Sequence, residues 1–220
     1  SDVYKRQLPQ CNEPIKELKR LVGRPIGANI EPVDLNADML ESRLEIPEGR
    51  QCSEKTLQAA QELGLDFICL TGNPGTGVTN NAIVKAIELA KKHFSGLIIA
   101  GKMHGAGVNE PICDLKTIEE FIDAGADIIL VPAVGTVPAF TVEQLISIVN
   151  CAHEKGALVL TAIGTSQEGS SSAVIEQFGL KNKVCGVDIQ HIGDAGYSGL
   201  APVENIFALS SSIRGIRPVS

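Results

Sequence analysis

Six short apolar runs rich in valine, isoleucine and leucine recur along the chain, each followed by a loop and then a helical stretch. The runs are RPIGANI (24–30), DFICLT (66–71), GLIIAG (96–101), DIILVP (127–132), ALVLTAI (157–163) and VCGVDIQHI (184–192). Their apolarity is continuous rather than alternating, which predicts strands covered on both faces, as parallel strands flanked by helices are. Helices are predicted over NEPIKELKRLVG (12–23), SEKTLQAAQELG (53–64), TNNAIVKAIELAKKHF (79–94), DLKTIEEFIDAG (114–125) and TVEQLISIVNCAHEKG (141–156), with another starting near Pro202. Ser53, Asp114 and Thr141 stand where an N-cap belongs, and each of their stretches ends at a glycine.

From the second run onward the strand midpoints fall near residues 68, 98, 129, 160 and 188. A spacing of about 30 residues predicts consecutive βα units, and so a (βα)8 TIM barrel in the α/β class rather than a doubly wound sheet. Such a barrel needs eight strands and about 250 residues. Only six strands are visible, and the first predicted helix has none before it, so the first two βα units are expected to be missing. SDVYKRQ (1–7) fits no element and reads as a non-native leader, leaving 8–220 as one partial barrel domain.

Composition narrows the function. The 220 residues are 44% hydrophobic, enough for a full core, and the net charge of −7 comes without any long basic run. Nucleic acid is therefore not an expected partner. The six cysteines form no C-x-x-C pair, which argues against a structural zinc site, and Cys69 and Cys185 read as buried thiols. With no apolar run of about 18 residues and no signal-peptide pattern, a cytoplasmic protein with no membrane partner is expected, binding a small anionic metabolite and open to homo-oligomerisation.

Active sites of such barrels form at the C-terminal ends of the strands. The polar residues there are Asn29, Glu31 and Asp34 after the first run, Thr71 and Asn73 after the second, Lys102 and His104 after the third. Thr165, Ser166 and Glu168 follow the fifth, and His191, Asp194 and Tyr197 the sixth. Lys102 and His104 are two apart, so in an extended segment both point to one face. A lysine in an apolar site can attack a carbonyl as a neutral amine, or stay charged and hold a carboxylate or phosphate. The sequence favours the anion-holding role. His104, His191 and Asp194 could move protons or bind a divalent metal ion as cofactor. His93 and His153, near helix ends, read as structural.

Counting two missing strands makes the loops at Gly164-Thr165-Ser166 and Gly193-Asp194-Ala195-Gly196 those after strands seven and eight, where barrels of this class hold phosphate. Thr165, Ser166, Gly193 and Gly196 are thus candidate substrate contacts, together with Asn29, Glu31 and Asn73. GNPGTGVT (72–79) nearly matches the nucleotide loop G-x-x-x-x-G-K-[ST], but Val78 replaces the lysine that reaches the phosphates. It reads instead as a rim loop in which Thr79 caps a helix and Asn73 faces the ligand.

NIEPVD, FICLTGNPGTGVTN, IIAGKMHGAG, DIILVPAVGTVP, TAIGTSQEG and DIQHIGDAGYSGLAPVENI resemble a bacterial family of TIM-barrel proteins often labelled haloacid dehalogenase-like hydrolase or phosphoenolpyruvate phosphonomutase-like. The resemblance runs from residue 12 to about 217 and implies a (βα)8 barrel, without an assigned reaction. A haloacid dehalogenase mechanism is not expected: D-x-D-x-[TV] is absent, and Ser198 stands where the last acidic motif needs an acid. The expected function is an aldolase-like lyase or isomerase acting on a small phosphorylated or carboxylated carbonyl compound. The alternatives are a metal-dependent hydrolase or lyase and a non-catalytic sugar-phosphate-binding barrel.

Overall fold

A computed structural model describes residues 14–194 and 201–216. The predicted leader at 1–7 and Gly196 lie outside the described residues. The described residues fall into two compact units: the first holds those up to Gly101 with Gly105–Pro111 and Asp123–Asp127, the second Lys102–His104, Ile112–Ile122 and those from Ile128 on.

In the first unit, α1 (Pro14–Val22) leads into β1 (Gly27–Ile30), α2 (Glu54–Glu62), β2 (Phe67–Leu70), α3 (Asn80–His93) and β3 (Leu97–Gly101). The three strands are parallel, with Asn29 beside Cys69 and Cys69 beside Ile99. Leu57, Ile68, Leu70, Ile83, Ile87 and Ile98 are fully buried between strands and helices. Ser53 and Thr79 accept hydrogen bonds from the backbone N–H groups of Thr56 and Ala82, so both predicted caps are present. Cys69 is a buried thiol, its pKa pushed up to about 12 by desolvation.

The second unit carries β4 (Ile128–Pro132), α5 (Val142–Glu154), β5 (Leu158–Ile163), α6 (Ser172–Val184), β6 (Ile189–Ile192) and α7 (Val203–Arg214); α4 (Leu115–Ala124) precedes β4 in the chain. β4, β5 and β6 are again parallel neighbours in chain order. Thr141 and Gln144 form a complete capping box at the start of α5. Ala133, Ile163, Ile175, Phe178 and Leu209 make a core, against which Ile192 packs. The sixth strand is shorter than its apolar run predicts. Residue 184 ends α6, Cys185 caps it and Gly186 turns the chain at φ +87°, so apolarity there serves helix packing before the strand begins. Cys185 is buried, as expected.

A feature not read from the sequence braces the strand beginnings. Gly64-Leu65-Asp66, Gly125-Ala126-Asp127 and Gly186-Val187-Asp188 repeat a G-x-D pattern, the aspartates 61 residues apart each time. Each aspartate precedes an even-numbered strand, and its Oδ2 accepts a 2.8 Å bond from the backbone N–H opening the strand before, at Ile26, Ile98 and Val159. Each also meets a base from the helix leading into that earlier strand: Lys19 at 2.8 Å, Lys91 at 3.9 Å and His153 at 2.8 Å. The doubled βα unit is thus the repeat of the fold, and His153 is structural, as its helix-end position predicts.

Candidate functional site

The candidate residues fall into two clusters, one in each unit. In the second unit, Lys102 directly follows β3 and is completely buried, a rare state for a lysine. His104 is half-buried. The strand ends at Gly101 and the chain bends at Met103 and His104, so two-residue alternation does not govern this segment and the same-face inference for Lys102 and His104 loses its basis. Met103 packs against the end of β5, where a Cβ on Gly164 would stand 2.6 Å from its Sδ. Only glycine at the end of β5 lets Met103 lie so close.

Gly164 opens the loop holding Thr165 and Ser166, both exposed and both left-handed, with φ of +57° and +69°. Two successive non-glycine residues in that region are uncommon, and for a β-branched threonine it is a strained conformation. Thr165 Oγ1 lies 2.6 Å from the carbonyl oxygen of Gly164 and 3.2 Å from that of Thr136, so its one proton is shared between the two. A short 3-10 turn, Gln167–Gly169, follows and buries Glu168. Asn205 of α7 fixes that turn: its Nδ2 donates to the carbonyl oxygens of Glu168 at 2.9 Å and Ser170 at 2.8 Å.

Glu168 links this loop to β6. A Cβ on Gly193 would meet its Oε1 at 3.3 Å, and Gly193 N–H extends the strand ladder by donating to Ile163 O at 2.9 Å. Gln190 donates to the carbonyl oxygen of Gly179 in α6, and Ile192 packs on the helix-side core, so His191 projects from the opposite face. His191 presents exposed surface, yet the protein around its ring is dense enough for desolvation to pull its pKa below the ordinary histidine value. The negative charges of Glu168 and Asp194 oppose that shift without cancelling it. The cluster therefore offers a buried amine and an imidazole biased toward its neutral form beside a glycine-rich rim.

Among the described residues no group of three His, Cys, Asp or Glu stands close enough to hold a metal. His104, His191 and Asp194 are described, so the ligand set suggested by the sequence is not assembled.

In the first unit, Glu31 is completely buried just beyond β1, with Asn29 two residues before it and exposed. Its Oε1 accepts from Asn73 Nδ2 at 3.0 Å and pairs with Arg50. The chain between Glu31 and Arg50 leaves and returns at one point, since Glu31 N–H donates to Arg50 O and Cys52 N–H to Glu31 O. That excursion runs over GNPGTGVT: Asp34 N–H donates to Gly77 O, Leu44 N–H to Gly75 O, and Val33 bridges Val78. Val78 is fully buried by this cover, which is why no lysine stands there. Arg50 carries no sequence signal for this role, because its partner is set by loop closure alone. Glu168 was visible as a strand-end acid, but nothing in the sequence foretold its burial.

A family model decides the affiliation. The chain belongs to DUF7916, a family described as a domain of unknown function, which it matches over residues 2–218. No curated protein matches the sequence. Among solved structures, it is similar to a protein from Burkholderia cenocepacia assigned as a lyase or mutase, at TM-score 0.53 and 18% identity, covering 92% of this chain and 64% of that one. The chain thus spans less than two thirds of that protein's length. It is also similar to the tetrameric deoxyribose phosphate aldolase of Aeropyrum pernix, at TM-score 0.56 and 16% identity over 97% of this chain and 79% of that one. A third likeness is to a protein from Coccidioides immitis assigned as a deoxyribose-phosphate aldolase, at TM-score 0.57 and 12% identity over 86% and 68% of the two chains. These likenesses bear out the fold class: six parallel strands in an α/β fold of the aldolase barrel kind. Neither the family nor these structures support a haloacid dehalogenase-like label. No described helix is long and apolar enough to cross a membrane.

Proposed function

We propose that the protein is a cytoplasmic aldolase-type lyase or isomerase acting on a small phosphorylated or carboxylated carbonyl compound. The observation that carries this reading is the complete burial of Lys102 where a β-strand ends. Burial disfavours the charged form of an amine, and the neutral amine is the form that attacks a carbonyl. Covalent chemistry at this buried strand-end amine is therefore our reading, in place of the anion holding that the sequence favours.

In the proposed reaction the Nζ lone pair attacks the carbonyl carbon, the carbonyl oxygen takes up protons and leaves as water, and an iminium results. Its positive nitrogen accepts the electron pair released when a neighbouring C–C or C–H bond breaks. His191, biased toward its neutral form, takes a proton from the substrate, and His104 returns one. Backbone N–H groups at Thr165 and Ser166 hold the anionic end, Gly193, whose own N–H is taken by Ile163 O, leaves room for it by lacking a side chain, and Gly196 is assigned to the same rim from its place in the sequence. Homo-oligomerisation belongs to the same reading, motivated by the tetrameric Aeropyrum pernix aldolase.

A panel of aldehyde and ketone phosphates tests the reading through carbon–carbon cleavage and isomerisation assays. Turnover of a member by the protein, abolished in Lys102→Met, is expected; turnover undiminished in that variant would remove Lys102 from the reaction.

A further inference from the structure

Three buried oxygens among the first unit's described residues have unused hydrogen-bonding capacity: Glu31 Oε2, Thr71 Oγ1 and Asn80 Oδ1. Glu31 Oε2 and Thr71 Oγ1 have no hydrogen-bond partner among the described residues, although Glu31 is completely buried and Thr71 nearly so. Orphaned polar atoms of this kind are costly and call for an explanation. These two also lie together. Asn29 is the register partner of Cys69 and Ile30 of Leu70, and Thr71 N–H continues the ladder by donating to Ile30 O. Glu31 and Thr71 therefore occupy the next paired position and extend from one face at the C-terminal end of the sheet.

The charge around them selects the ligand. Arg50 already balances Glu31, and Asn73 Nδ2 adds a second donor to the same Oε1. A metal ion or an ammonium group would place uncompensated positive charge beside a guanidinium, and a carboxylate or phosphate would face the carboxylate. A hydroxyl adds no charge and donates to Oε2; a second hydroxyl on the adjacent carbon accepts from Thr71 Oγ1, which can donate as well as accept. The Asn73 side chain is exposed and bonded to the carboxylate, so it can yield to an arriving ligand without disturbing the core.

We propose that Glu31 and Thr71 form a binding site for the vicinal hydroxyls of a small uncharged polyol of the furanose type. The proposal does not depend on the reaction proposed for Lys102.

Calorimetric titration of the full chain with 1,4-anhydro-D-ribitol, which carries one vicinal diol, tests the site against the 2-deoxy analogue, which carries none. The diol binds at least about tenfold more tightly, the loss expected for one hydrogen bond to a charged group. Thr71→Val brings diol affinity close to that of the analogue and leaves the melting temperature unchanged or raised, because the native hydroxyl has no partner to lose. Glu31→Gln weakens the diol further. Equal affinity for the two compounds, no saturable diol binding, or full discrimination retained in a folded Thr71→Val protein would each overturn the assignment.

Discussion

Asp66 Oδ2 accepts the backbone N–H of Ile26 at 2.8 Å while its Oδ1 accepts from Lys19 Nζ at 2.8 Å, so one carboxylate joins a helix end, the opening of β1 and the opening of β2. Asp127 and Asp188 repeat the bond at Ile98 and Val159. Since Ile98 is fully buried, Asp127→Ala leaves its N–H without a partner and lowers stability by about 1–3 kcal/mol. Urea melts of the variant check this, and Asp127→Asn, whose side-chain carbonyl can still accept, recovers part of the loss.

Acid acts on the same device. The pKa of Asp66 is lowered, first by the hydrogen bond from Lys19 and then by that from Ile26. A carboxylate with a depressed folded-state pKa contributes stability that is present above its unfolded value, about 3.9, and lost as pH falls through the folded value. Asp66→Asn therefore costs stability near neutral pH, and the gap to the unaltered protein closes in acid. A constant gap from neutral pH down to the acid limit would contradict the assignment.

His191 titrates below the ordinary histidine value of about 6.5, because desolvation outweighs the pull of Glu168 and Asp194. As a base with a depressed folded-state pKa, it leaves stability intact above its unfolded value. Stability then falls as pH drops toward the folded value, where the unfolded chain binds more protons. Glu168→Gln removes a charge that raises the pKa and lowers the midpoint further. Imidazole proton NMR titration of both proteins reads the direction.

Gly164→Ala probes the link between β5 and the lysine segment. The added Cβ would stand 2.6 Å from Met103 Sδ, the end of a flexible side chain that can yield. Folding is expected to survive with a modest loss of stability, while displacement of the 102–104 segment lowers kcat by about 10-fold or more, since small misplacements of reacting groups are expensive. Wild-type kcat in a folded Gly164→Ala protein would show that Met103 packing does not position Lys102.

Much of the fold was legible in the sequence because strand burial on both faces, helix caps and a period of about 30 residues all point to consecutive βα units. Ser53, Thr79 and Thr141 cap helices as read, since a cap needs only residues three positions apart. The candidate site was less legible. The pairing of Glu31 with Arg50 depends on where a long excursion closes, and the burial of Glu168 depends on Asn205, which is 37 residues away. Alternation gives no guide to Lys102 and His104 because the chain bends as soon as β3 ends. The G-x-D repeat was present in the sequence throughout, but its meaning lies in bonds to strands some 30 to 40 residues earlier.

Reduction with borohydride in the presence of the aldehyde or ketone phosphate that is turned over, followed by peptide mass spectrometry, tests the central claim. The account predicts a substrate-derived secondary amine on Lys102 and on no other lysine. Turnover without an adduct at Lys102, or an adduct at a different lysine, would contradict it.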